Sequence, residues 1–157
     1  MQSSEDEAKS EAPEPVKDWP FKYESAKAIF QEQARMVRLT AVERKIPLVW
    51  LTRTHAALDT LTNFLCHFAK VNPQQIAEGY MLESDFPLLC NACGVVSGSK
   101  LRMCEADSTE QFEEIILALA KENEFSYVLC DWDLSKNELS FAEGLVQKGN
   151  VTVCWPQ

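Results

Sequence analysis

Asp131 and Asp133 close an apolar run in the stretch FSYVLCDWDL, residues 125–134, with Trp132 between them. An apolar strand ending on an aspartate is a common way to present a carboxylate to the magnesium ion of a nucleotide. That chemistry needs two further parts. One is a glycine-rich phosphate cradle of the form GxxxxGK[ST], whose backbone N–H groups and lysine hold the phosphates. The other is a second carboxylate that orients the attacking water. The chain has five glycines and none before Gly79, so the cradle is missing.

Other reactive side chains are sparse. Cys90 and Cys93 form a CxxC in LLCNACGVV. A tetrahedral zinc site needs four ligands, and the nearest further thiol toward the amino terminus is the single Cys66. The spacing of Leu89, Cys93 and Val96 is that of one buried helical stripe, so these thiols are expected in the core, with metal binding or redox chemistry as the alternative. Cys104, Cys130 and Cys154 fall in three separate apolar runs, as thiols packed in a reducing compartment do. His55 and His67 have no serine or cysteine in a recognisable catalytic arrangement and are read as structural. Arg35, Arg38, Arg44 and Lys45 make the one cationic cluster. It is expected to be a solvated face, with an acidic partner or the chain's own tail as its alternative occupant.

The elements that would position these groups alternate. Apolar residues at Ala26, Ile29, Phe30, Ala34, Val37 and Ala41 predict one helix over Glu24 to Lys45, ended by Pro47. PLVWLT (47–52) reads as a buried strand. Leu58, Leu61, Leu65 and Phe68 predict the buried face of the next helix. A short helix from Pro73 closes at Gly79, and Ser84 is placed to cap a helix through Val96. KLRMCEA is a second strand, and Ser108 with Gln111 resembles a capping box ahead of Phe112, Ile115, Ile116 and Leu119. SYVLCD is a third strand. A helix around Phe141, Leu145 and Val146, a Gly149-Asn150 turn and the strand VTVCW complete the pattern. Strands alternating with helices predict a single three-layer α/β domain with a mostly parallel sheet of about four to five strands.

Composition limits the function. The chain has 157 residues, 46% of them apolar, which suits one core. Its formal charge of -9 opposes binding to DNA or to anionic membranes. No apolar run approaches the roughly 20 residues that span a bilayer, so a cytoplasmic location is expected. Residues 1–18 carry six acids and two lysines; with few large apolar side chains, they are expected to form a disordered acidic tail ahead of a domain over 19–157.

Order and spacing together resemble a known family, the carboxy-terminal RecA-like motor domain of DnaB-type replicative helicases. FAKVNPQQIAEGYMLESDF is similar to that family's segment after its second strand, through Val71, Ile76, Gly79, Leu82 and Asp85-Phe86. LRMCEADSTEQFEEIILALAKENEFSYVLCDWDLS is similar to its strand, capped helix and Walker B strand, with Asp131 at the Walker B position. NVTVCWPQ resembles the next strand, with Gln157 at its end. The resemblance implies a RecA-like, P-loop-NTPase-like topology. It also marks departures. Lys27 stands near the place of the P-loop lysine, but among alanines. Arg53 stands where the resemblance implies the catalytic glutamate, and arginine cannot take a proton from water. Only LSKNELS follows Asp131's strand before the next helix, so the family's basic DNA-contacting loops are expected to be short, and the chain is read as stopping before the strands that would complete the motor.

These departures predict a non-catalytic pseudo-ATPase without cofactor, acting as an interaction or regulatory module that binds a protein partner or itself, and binding no nucleic acid alone. A small-ligand or nucleotide binder using the carboxyl ends of the strands is the alternative, and a thiol redox or zinc protein a third. At the site, Arg53 and Asp131 are expected to form an ion pair where magnesium would have sat. Asp133 is the expected second acceptor, with Trp132 and Trp155 at the same edge as a ligand or partner surface.

Overall fold

The computed structural model describes residues 24–122, 124–146 and 151–156. The acidic tail of residues 1–18, the Gly149-Asn150 turn and Gln157 lie outside them.

Four strands, β1 (Leu48–Thr52), β2 (Leu101–Glu105), β3 (Ser126–Cys130) and β4 (Val151–Cys154), pair in the order β2-β1-β3-β4, all parallel. Every residue of β1 is buried, as a central strand of a sheet covered on both faces must be. The strand period of two then divides the core. Val49, Leu51, Val128, Cys130, Val151 and Val153 point to one side, where α5 (Thr109–Ala120) and α6 (Lys136–Val146) cover them with Phe112, Ile116, Leu119, Ala142 and Leu145. Leu48, Trp50 and Leu129 point to the other, against Phe30, Ala34 and Val37 of α1 (Glu24–Val37), Phe64 of α2 (Ala57–Ala69) and Val96 of α4 (Asp85–Ser97). α3 (Pro73–Ala77) links α2 to α4.

Connection handedness accounts for this division. The chain steps from β1 outward to β2 through α2, α3 and α4, then reverses across β1 to β3 through α5 and on to β4 through α6. Right-handed crossovers running in opposite directions place their helices on opposite faces. The reversal leaves a crevice between the carboxyl ends of β1 and β3, the place where open α/β sheets bind ligands.

The local signals mostly hold. Ser108 Oγ accepts from the Gln111 N–H at 3.2 Å, and Gln111 Oε1 reaches back to the Asp107 N–H at 2.7 Å. Gly79 ends the α3 segment at φ +74, a conformation that suits glycine. Three expectations are corrected. The first helix is not uniform: after Val37 it widens into a π-helical segment, Arg38–Glu43, and stops at Lys45 in the left-handed region with φ 56. Within that segment the Ala41 carbonyl accepts from the Lys100 N–H at 3.2 Å, fastening α1 to the start of β2. α2 does not bury Leu58, which is 72% exposed; it buries Thr60, Asn63 and Phe64, because α2 meets the sheet on that side. Ser84 stands at the amino end of α4 without a side-chain cap bond, its backbone already in the helical region.

Candidate functional site

β1 and β3 are in register, Leu51 opposite Cys130, so the residues that follow them meet across the crevice. Asp131 turns its carboxylate onto the loop after β1. Its Oδ1 accepts from the Arg53 N–H at 2.8 Å and the Thr54 N–H at 3.3 Å, and its Oδ2 accepts from the Thr54 hydroxyl at 2.8 Å. Because that hydroxyl donates to Asp131, the His55 Nδ1 3.0 Å from Thr54 Oγ1 serves as a donor to it. Burial pushes the Asp131 carboxyl above its ordinary range, and these donors only partly offset it.

The Arg53 side chain leaves in the other direction, onto the α5/α6 face. Its Nε donates to the Ala106 carbonyl at 2.6 Å, and its guanidinium lies 4.0 Å over the centre of the Trp132 ring. Nη2 stands 3.0 Å from Glu138 Oε2 as an ion pair, not aligned as a hydrogen bond. The expected pair is therefore corrected: Arg53 gives Asp131 its backbone N–H, and its charge goes to Glu138. A residue after a parallel strand points to the face opposite its predecessor, and for Arg53 that face holds Trp132 and α6 rather than the crevice.

Glu138 was not a sequence candidate. Only 1% exposed, it lies in the first turn of α6 and gathers three hydrogen-bond donors and one guanidinium. Oε1 accepts from the Trp132 indole at 3.2 Å and the Ser135 N–H at 3.0 Å; Oε2 accepts from the Thr109 hydroxyl at 3.2 Å and meets Arg53. Ser135 Oγ returns the bond by accepting from the Glu138 N–H at 3.2 Å. The letters SKNE are a capping box and were readable as one. Burial raises this carboxyl, but the Ser135, Trp132 and Arg53 interactions outweigh it and hold it below the usual carboxylate range.

The remaining candidates scatter. Asp133 is exposed and takes no part in the cluster. Trp155 follows β4, two strands from β1, and packs half-buried against the α5/α6 core. Lys27 is exposed on α1. Arg35 pairs with Glu32, and Arg38 with Glu43 at 3.7 Å, so half of the cationic cluster is answered within its own element. Cys90 and Cys93 are free and exposed, which corrects their expected burial; α4 turns Ala92 and Val96 inward instead. Among the described residues no group of three His, Cys, Asp or Glu side chains could hold a metal ion, and no helix is long and apolar enough to cross a membrane.

No family model and no curated protein matches this sequence. Solved structures do match its fold. A DnaB-like replicative helicase, described with its interactions with primase, superposes with a TM-score of 0.59 at 12% identity, over 73% of this chain and 33% of that one. A second solved structure, described as an ATPase domain, superposes with a TM-score of 0.61 at 14% identity, over 83% of this chain and 51% of that one. At such identities the likeness is one of fold: a RecA-like α/β domain. The chain spans between a third and about half of the length of the proteins it resembles.

Proposed function

We propose that this RecA-like domain does not hydrolyse nucleotide and serves as a protein-interaction or regulatory module. One observation carries the reading. The carboxylate at the Walker-B-like position is occupied by its own chain, with both oxygens of Asp131 taken by Arg53 and Thr54 donors. A magnesium ion would have to displace those bonds, which also hold the loop after β1 in place.

Two features support it. The residue after β1 that resembles the water-orienting position is Arg53, whose charge is spent on Glu138. No GxxxxGK[ST] occurs in the chain, and Lys27 stands in open solvent on α1. The replicative helicase with a similar fold is described as interacting with primase; a partner from DNA replication is the corresponding proposal for this chain. The position of Thr54 and His55 at the switch point favours one competing reading, a small-ligand or nucleotide binder that does no chemistry.

Magnesium-ATP titration with a thermal-unfolding readout separates the two. A nucleotide at 100 times its Kd stabilises by about 2.7 kcal/mol. The expected result is no shift and no phosphate release above background, unchanged in Asp131→Ala. A turnover that Asp131→Ala abolishes overturns the proposal, and a nucleotide-dependent shift without turnover selects the ligand-binding reading.

A further inference from the structure

Helix α4 is apolar nearly all round. From Phe86 to Ser97 it has no charged residue, and its one acid, Asp85, is its first residue. A helix of that composition belongs inside a protein, yet only Ala92 and Val96 are buried. Phe86 is 60% exposed and Leu88 48%, and the segment leading into the helix exposes Tyr80 and Leu82 as well. At about 100° per residue, Phe86, Cys90, Cys93 and Ser97 line one flank, with Gly94 at the outward crest. A Cβ at Gly94 would meet nothing within 4 Å.

We infer that α4 docks on α4 of a second copy of this chain, the two helices crossing antiparallel about a two-fold axis. Charge selects the occupant. Glu78, Glu83 and Asp85 lie at the amino end of the face, and residues 71–99 contain no Lys or Arg. The first cation is Lys100, just past the carboxyl end, whose contact with Glu124 at 3.6 Å is between exposed groups and weak. An antiparallel crossing brings Lys100 of each copy to Glu83 and Asp85 of the other and opposes the helix dipoles. Between those ends the helix is uncharged, so a surface facing its own copy meets no like-charge repulsion, as an isologous contact requires. Small side chains at Cys90 and Gly94 allow the backbones to approach, and Phe86 of one copy fills the space beside Gly94 of the other. The composition of residues 1–18, six acids against two lysines, does not complement the acids at the amino end of this face.

This partner assignment rests on reading the chain as an interaction module, which the ATP titration tests separately. Sedimentation equilibrium of the full chain checks it. The expected result is a concentration-dependent dimer. Gly94→Arg, whose side chain enters open solvent in the single chain, should leave the circular dichroism unaltered and weaken the dimer at least tenfold. Lys100→Glu should weaken it too, and a short bismaleimide should produce a covalent dimer that Cys90→Ser/Cys93→Ser loses. A monomer at every soluble concentration, or a dimer that Gly94→Arg leaves intact, overturns the inference. A chain that stays monomeric while another protein covers α4 gives the first of those results.

Discussion

Glu138 is a carboxylate almost without solvent, stable as an anion because three hydrogen-bond donors and the Arg53 guanidinium converge on it. Removing it strands the Arg53 charge, the Trp132 indole and the Ser135 N–H together. Glu138→Ala should cost about 3–5 kcal/mol in urea unfolding, and Arg53→Ala less, since Glu138 keeps its other donors. The double variant should lose less than the sum, because the two share one interaction. The two carboxyls of the region titrate with opposite sign. Glu138 is depressed on folding, so its contribution is present above the unfolded value of about 4.3 and is lost as pH falls through the folded value. Asp131 is raised, so its contribution is present below about 3.9 and is lost as pH rises through the folded value. Denaturation midpoints across acid pH should therefore fall less steeply toward acid in Glu138→Gln than in the parent, and more steeply in Asp131→Asn. Thiols report the same packing. Burial pushes Cys66 up to about 11 and Cys130 higher still, so native protein should react first at Cys90 and Cys93. Rapid labelling of Cys66 or Cys130 before unfolding would contradict the fold.

At the scale of the element, helix ends explain most of the punctuation. Ser108 satisfies one orphan N–H of α5, and Ser108→Ala should lower stability by about 1 kcal/mol. Glycines inside and outside helices should respond oppositely. Gly144 sits within α6 with nothing within 4 Å of an added Cβ, so Gly144→Ala should stabilise by roughly 0.5–1 kcal/mol. Gly79 has φ +74, and Gly79→Ala should destabilise by a comparable amount despite equally open space. Thermal melts of the pair check both signs. The π-helical segment after α1 is an element the apolar spacing could not announce. Val37 and Ala41 keep a spacing of four, which suits an α-helix, and the widening shows in the backbone, where the Arg44 N–H reaches the Leu39 carbonyl five residues back at 3.2 Å.

For the molecule as a whole, the reversal of connection direction between β1 and β3 creates the crevice, and Asp131 ties across it. In a chain with a net charge of -9, single-stranded DNA should not bind at physiological salt. Sub-micromolar binding in a fluorescence anisotropy titration would show a cationic groove that the charge distribution does not provide. Two helical layers enclose the sheet, yet α4 is left with apolar side chains outward, Phe86 and Leu88 among them.

What could be read from the sequence was what arises locally. The apolar runs LVWLT, SYVLC and VTVC, the breaks at Pro47 and Gly79, and the box of Ser108 with Gln111 depend on residues within a few positions of one another. So does the placing of Arg53 and Asp131 at strand ends, and they emerged where expected. Tertiary structure alone decided the strand order, and with it which side chains meet. Alternation along β1 turns Arg53 to the side of Leu51, and it pairs with Glu138 rather than Asp131 because the fold packs Trp132 and α6 on that side. Leu58 and Phe64 stand about 120° apart around α2, and the side on which α2 meets the sheet left the first exposed and the second buried. Glu138 reads as a solvated cap in a first turn, and the approach of β1 and α5 from distant parts of the chain made it a buried anion. Local periodicity carries no information about such approaches, since they are set by the packing of whole layers.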